Sequence, residues 1–250
     1  MIFLLADSHC HLDSFKAPLK AIENARKAGV ARILTASTGP ESMQKCLSLA
    51  KKFPQVLCAL GLHPSNILSM QQNEIERAIA FAEKNISNAA AIGEVGLDFK
   101  HAKTPAQRAL QESVLREFIR LAMKNSLPVC VHARYAETRC LDILEEESAR
   151  KVHMHWFTNS KKTASRAVLL GYFISCGPII IHDSASAEVV KSIPLENLLL
   201  ETDAPVPFGG RNSEPSWIAD VCKKVAQIKG VSQEEVAKAT GNNFTSLFGK

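Results

Sequence analysis

His9 and His11 stand one residue apart in Asp7-Ser8-His9-Cys10-His11-Leu12-Asp13. In extended backbone, residues two apart project to the same side, so both imidazoles can reach one cation. Glu94 lies in Ile92-Gly93-Glu94-Val95-Gly96-Leu97-Asp98, where neighbouring glycines suit close backbone approach at a rim rather than a surface charge. His132, His155 and Asp203 complete the set. Imidazole is a ligand for zinc and other transition metals, and carboxylate bridges ions or completes the shell of harder ones. A catalytic zinc typically keeps three protein ligands and an open position. Two ions about 3.5–4 Å apart would use all six groups. The set therefore predicts two divalent ions, of zinc, manganese or magnesium type. The His-x-His pair alone carries little weight; the five segments together carry the reading.

These groups must be brought together by the elements that hold them. Short apolar runs recur with helix-like segments between them. Strands are predicted at Phe3–Ala6, Ala31–Ala36, Val56–Leu60, Ala90–Gly93, Pro128–Val131, Lys151–Met154, Tyr172–Ser175 and Leu198–Glu201. Helices are predicted over Pro18–Ala28, Pro40–Lys52, Asn73–Asn85, Pro105–Asn125, Ala136–Glu147, Lys161–Leu170, Ala185–Lys191, Pro215–Lys229 and Ser232–Thr240. Proline at the first helical position marks several of the starts. Eight strands alternating with helices imply a parallel sheet, and eight favours an α/β fold closed as a (β/α)₈ TIM barrel over an open doubly wound sheet. All six candidate ligands then fall just past strand ends, on the one rim where barrel sites are built. No repeat, low-complexity tract or linker divides residues 1–250, and one domain is the simplest account.

Other residues near these strand ends have competing roles. His153 shares a strand face with His155 but should sit deeper, as an interior or supporting residue. Glu201 likewise lies one layer below Asp203, where a hydrogen-bonded structural role is expected. His63 is either a turn residue before Pro64 or a donor to a substrate phosphate. Arg134, two past His132, suits bidentate pairing with a phosphate, against the alternative of a salt bridge. Trp156 and Phe157 suit stacking on a base or packing under the helices. Cys10 should face away from its histidine neighbours into the core. His101 and His182 receive no role.

The composition is that of a globular protein, with 46% hydrophobic and 22% charged residues. A formal charge of +5 is compatible with an anionic partner without requiring one. The seven cysteines include no Cys-x-x-Cys and read as reduced thiols of a cytoplasmic protein. The apolar start Met1–Ala6 is too short for a signal peptide, and no run approaches the roughly 18 apolar residues of a membrane span.

Several segments resemble successive signatures of the TatD family. They are Asp7–Asp13, Gly61-Leu62-His63-Pro64, Ile92–Asp98, Val131-His132-Ala133-Arg134, Glu201-Thr202-Asp203-Ala204-Pro205 and Asn243-Phe244 with Leu247-Phe248. The resemblance implies a metal-dependent deoxyribonuclease-type phosphodiesterase on an amidohydrolase-like barrel, with DNA as substrate. It implies one ion held by His9, His11, Glu94 and Asp203, and a second by Glu94, His132 and His155, which favours His155 over His153. In that reading Asp203 serves as general base and Arg134, with His63, contacts the substrate. No obligate protein partner or membrane association is implied, and a monomer is expected. The chain departs from the pattern at His155-Trp156-Phe157-Thr158-Asn159, where His-Cys-Phe-Ser-Gly is common. It also departs in the short segment from Asp203 to Pro215, where Ser213 interrupts Asn-Glu-Pro. Both changes bear on substrate choice. Two rival functions are hydrolysis of a small ester, amide or phosphoester on a related barrel, and non-catalytic nucleic-acid binding.

Overall fold

The computed structural model describes residues 5–157 and 160–249. Eight strands form one sheet in chain order: β1 (Leu5–Cys10), β2 (Val30–Ala36), β3 (Val56–Leu60), β4 (Ala91–Asp98), β5 (Val129–Arg134), β6 (Val152–Met154), β7 (Phe173–Cys176) and β8 (Leu198–Leu200). Each pairs in parallel with the next, with Ile33 beside Val56, Val129 beside Val152, and Ile174 beside Leu198. Between and after them lie α1 (Pro18–Lys27), α2 (Pro40–Lys52), α3 (Pro64–Ile67), α4 (Gln72–Lys84), α5 (Pro105–Lys124), α6 (Glu137–Glu146), α7 (Lys161–Leu169), α8 (Ser184–Ser192), α9 (Ile218–Lys229) and α10 (Gln233–Phe248).

A strictly sequential strand order excludes the doubly wound alternative, in which β1 would lie inside the sheet. Closure occurs just beyond β8. The Asp203 N–H donates to the His9 carbonyl at 2.9 Å, and the His11 N–H to the Ala204 carbonyl at 2.7 Å. The buried Asp7 carboxylate accepts from the Thr202 N–H at 3.0 Å and from its hydroxyl at 2.6 Å. The fold is a (β/α)₈ barrel.

Small residues line the interior at the strand N-termini and leave room for a plug. Ala6, Ala59, Ala91 and Cys130 pack with Leu34 and Leu199 around Phe244, Leu247 and Phe248 of α10. This explains why α10 runs to Phe248 rather than stopping near Thr240. Gly241-Asn242-Asn243 reads as a terminator, but burial of three large apolar groups outweighs the helix cost of one glycine, about 1 kcal/mol. Asn243 also donates to the Leu195 and Leu198 carbonyls at 2.7 and 2.8 Å.

Other boundaries differ from expectation. β1, β4 and β5 run further, so His9, Glu94 and His132 lie within strands rather than after them. Strand seven is shifted by one residue, and a 3₁₀ turn over Pro215–Trp217 precedes α9. The short helix α3 and a ribbon of β9 (Pro207–Phe208) and β10 (Arg211–Asn212) were not expected. The expected strand residues Phe3 and Leu4, the rest of the apolar start Met1–Leu4, and the divergent Thr158-Asn159 lie outside the described residues.

Candidate metal centre

Strand β4 places Glu94 at the middle of the barrel mouth. Its pairing with β5 is irregular between Ile92 and Val95, the local kink that re-aims a side chain. Glycine is required on both sides. A Cβ on Gly93 would lie 2.7 Å from Cys130 Cβ, and one on Gly96 would lie 1.9 Å from the His132 carbonyl oxygen. Both also have φ near +150°, which side-chain-bearing residues rarely adopt. The backbone of β4 is thus pressed against β5, and Glu94, 2% exposed, projects inward.

Its two oxygens face two different groups. Oε2 lies 3.5 Å from the Nε2 atoms of both His9 and His11. Asp203 joins that side, its Oδ1 lying 3.2 Å from His11 Nε2 and 3.6 Å from His9 Nε2. Oε1 lies 2.8 Å from His132 Nδ1 and 3.3 Å from His155 Nε2. The other five expected residues therefore meet around the Glu94 carboxylate, with His9 and His155 rings stacked at 3.8 Å between centroids.

Second partners fix the imidazole orientations. His11 Nδ1 meets the Ala36 carbonyl at 2.9 Å, which directs Nε2 to the centre. His155 Nδ1 meets Glu201 at 3.1 Å, and the same Glu201 oxygen accepts from the Ser175 hydroxyl at 2.6 Å. His132 is turned the other way, with Nε2 3.4 Å from Asp98 and Nδ1 toward Glu94. Asp98 is held in turn by His101, whose Nδ1 lies 2.9 Å from it. Such carboxylate–histidine pairs set the tautomer and raise the basicity of a ligating nitrogen. His153 is buried below, its Nε2 2.7 Å from the Ser175 hydroxyl, and makes no approach to Glu94 within ion-pair distance. Glu201 occupies the supporting position expected of it. Cys10 is buried in the outer core.

Both ring nitrogens of His9, both of His132 and Glu94 Oε2 are buried with no hydrogen-bond partner of good geometry. Buried polar atoms are rarely left so. Acceptor atoms converging on a common point, from imidazole and carboxylate, fit divalent cations. Two groups of three, His9–Glu94–His155 and His9–His11–Asp203, have ligand atoms within 4.8 Å of one another. His63, Asp98 and His132 form a third such group on the rim side.

The electrostatics are those of a carboxylate site crowded by imidazoles. Burial opposes ionisation of Glu94, but the surrounding histidines outweigh it and hold the carboxyl well below its usual range. Asp203 is lowered in the same way, by the His11 hydrogen bond and the charges of His155, His11 and His9 against burial. Burial likewise works against charging His11, yet Asp203 and Glu94 lift it to about 9. His63 goes the other way: burial dominates and pulls it down to about 4.

Above the centre is a cleft of about 620 Å³. His63 lines it while capping α3. Its Nδ1 accepts from the Ser65 N–H at 3.1 Å, and its Nε2 lies 3.5 Å from Glu94. The turn position thus also brings Nε2 into the cleft beside Glu94. Arg134 lines the same cleft, is exposed, and forms no ion pair among the described residues. Trp156 is half-buried at the cleft edge, with its ring stacked on Phe208 at 5.1 Å. Phe157 is buried in the core and unavailable to a base. Asp98, His101 and Tyr135 have no role assigned from sequence, yet all three line the cleft. Asp98 and His101 differ by three residues, a spacing that signals a turn pair. Tyr135, 69% exposed at the rim, carries no patterned signal. Tyr135, Trp156 and Asp203 all have positive φ, at 56°, 46° and 51°, a conformation that costs of order 1–3 kcal/mol and clusters at functional rims.

Comparisons with known proteins agree with this geometry. A family model described as TatD related DNase matches residues 6–249. Deoxyribonuclease TATDN3 of Homo sapiens is 35% identical over 98% of this chain and 95% of its own length. The metal-dependent hydrolase YabD of Bacillus subtilis is 32% identical over 98% of this chain and 99% of its own. The crystal structure of the TatD homologue YjjV from Escherichia coli superposes with a TM-score of 0.92 at 30% identity, covering 100% of both chains. An amidohydrolase from Saccharomyces cerevisiae, with a TM-score of 0.84 at 17% identity over 98% of this chain and all of its own, shares the fold. With its whole barrel matched and its strand-end signatures gathered around Glu94, the chain belongs to the TatD related DNase family.

Proposed function

We propose that this chain is a metal-dependent hydrolase that cleaves phosphodiester bonds in DNA. The observation that carries the reading is Glu94, whose two oxygens address separate groups, His9, His11 and Asp203 on one side and His132 and His155 on the other. That arrangement would let Glu94 help to hold divalent ions together with both groups, two ions in all. Bound there, such ions would lower the pKa of an attacking water and neutralise charge on phosphoryl oxygens.

The chain's own residues then have separable tasks. Asp203 is ionised and presents its carboxylate at the centre, where it would take the proton of the attacking water as general base. Arg134, which forms no ion pair among the described residues, would hold non-bridging phosphate oxygens in bidentate fashion from the cleft edge. His63 is neutral, and its Nδ1 is occupied as an acceptor, so Nε2 carries the proton and can donate into the cleft. The likeness to a human deoxyribonuclease supports DNA over the small-molecule substrates of related barrels. The complete ligand set argues against a purely binding role.

The test is elemental analysis of purified protein after metal loading, followed by assays on labelled single-stranded DNA, lactones, amides and small phosphodiesters. The expected result is about two divalent ions per chain and DNA cleavage abolished by chelation. A folded protein that takes up no metal, or one that hydrolyses lactones or amides while leaving DNA intact, overturns the reading.

A further inference from the structure

A second groove of about 640 Å³ adjoins the cleft over Glu94. It is lined by the loop after β7, the β9–β10 ribbon and the exposed face of α9. The two spaces share one boundary. Trp156 lines the first, Phe208 lines the second, and their rings stack on each other. Pro178, Ile181 and Trp217 give the second groove apolar and aromatic surface, while Arg211, Lys223 and Lys224 give it positive charge against a single Asp220.

These three cations are gathered along one groove. On the barrel's flank, Arg116, Arg120, Arg139 and Arg166 are each paired with glutamate or aspartate of α5 or α6 or the turn after α6. Among the described residues, Arg211, Lys223 and Lys224 form no ion pair. Arg211 instead lies over the Trp217 ring, 5.5 Å from its centroid. A positive groove with aromatic faces is the chemistry that tracks a single nucleic-acid strand, phosphates on the cations and bases on the rings. Both spaces lie within the roughly 300–1,000 Å³ of ligand pockets.

The geometry points to a strand-binding groove for single-stranded DNA. In it Arg211, Lys223 and Lys224 take backbone phosphates several nucleotides from the bond cut over Glu94, and the Trp156–Phe208 pair is the crossing point. This inference rests on the DNA reading above. It gives the short segment from Asp203 to Pro215 a task, because that segment builds the ribbon carrying Phe208 and Arg211.

The test replaces Arg211, Lys223 and Lys224 together by Gln in the full chain. Binding of phosphorothioate-linked oligothymidylates of about 4 and about 16 nucleotides is followed by fluorescence anisotropy against salt. Hydrolysis of bis(4-nitrophenyl) phosphate reports whether the centre is intact and is expected to be unchanged. For the long strand, the slope of log K against log salt should become shallower by about 2, roughly 0.7 for each lost phosphate contact. A fourfold rise in salt would then weaken the parent about 20-fold more than the variant. The short strand should bind both proteins alike. Equal slopes for parent and variant on the long strand overturn the groove, as does an equal loss on both lengths, which would place these cations at the cleft itself. A slope change seen with duplex but not with single strand overturns the assigned occupant. If the parent cuts DNA and the variant matches it throughout, only the groove falls. If the parent hydrolyses the small phosphodiester but neither binds nor cuts DNA, the DNA reading falls and takes the groove with it. Should the triple variant melt early, Lys223→Glu alone, at an exposed position, should still change the slope by at least about 0.7.

Discussion

Substitution of Gly96 by Ala tests whether close strand contact is what positions the centre. The new Cβ would start 1.9 Å from the His132 carbonyl oxygen and 2.8 Å from its carbonyl carbon. Ordinary contact begins near 3.4 Å, so β5 must retreat by about 1.5 Å or β4 must turn away. Neither atom is the end of a flexible side chain. The φ of 152° adds backbone strain of order 1–3 kcal/mol for a residue with a Cβ. Overpacking adds a similar 1–3 kcal/mol, so the expected loss is roughly 2–6 kcal/mol. At about 2–4 °C per kcal/mol for a chain of this size, the melting temperature should fall by roughly 5–20 °C. The residue displaced is His132 itself, and a misplacement of about 1 Å can cost about 100-fold in rate. Thermal unfolding by circular dichroism and metal content after loading measure the two consequences. A Gly96→Ala protein that melts within about 2 °C of the parent and keeps its metal would show that the strands yield easily. The argument from backbone pressure would then be wrong.

His155→Ala should lower metal occupancy and activity together by about 10–100-fold, whereas His153→Ala should cost about 1–3 kcal/mol of stability and leave occupancy intact; elemental analysis with melting curves separates them, and the reverse pattern would exchange their roles. His11 in the ion-free protein is raised to about 9. Its stabilisation is fully present below the ordinary imidazole value near 6.5 and is lost as pH rises through about 9. Metal loading at neutral pH must displace that proton. Calorimetric titration in buffers of different ionisation enthalpy should therefore show proton release that fades toward pH 9, and heats independent of buffer would contradict it. Arg134→Lys should harm DNA cleavage as much as Arg134→Ala, by about 2–4 kcal/mol in kcat/KM, with metal content unchanged. Activity at the parent level in either variant would reject the phosphate role.

Much of the site could be read from residue order because a barrel maps strand ends onto one rim. Once the alternation of strands and helices is seen, His9, His11, Glu94, His132, His155 and Asp203 need no further information to converge. Their exact strand positions were less legible. Polar residues such as Asp7, His9 and Glu94 interrupt the apolar runs used to draw strands, so those runs end before the groups that β1 and β4 carry. The missed elements depend on distant contacts. α10 passes through Gly241 because Phe244, Leu247 and Phe248 fill the barrel's lower interior, and no local pattern reveals that space. The supporting role of Asp98 needed the facing side of β5, where His132 turns its Nε2 outward.

The barrel interior is graded in polarity, and the gradient explains why the centre can hold so many titratable groups. Its lower layer is alanine, leucine and cysteine sealed by Phe244 and Phe248. The next layer is a hydrogen-bonded chain in which Ser175 joins His153 to Glu201, and Glu201 joins the chain to His155. Only above it do Glu94 and Asp203 meet the remaining imidazoles. Water excluded from below cannot loosen the Glu201–His155 contact, so the ring is fixed by a buried acceptor rather than by solvent. At the top, the same strands that carry the groups also close the barrel. The Asp203 N–H donates to the His9 carbonyl, and the His11 N–H to the Ala204 carbonyl. His9, His11 and Asp203 are thereby locked to one another through backbone before any ion is bound. Preorganisation of this half of the centre is a property of barrel closure, while the His132 half depends on the pressure of β4 against β5. Changes at the β1–β8 seam should therefore disturb the His9–His11–Asp203 group, and changes at Gly93 or Gly96 the His132 side.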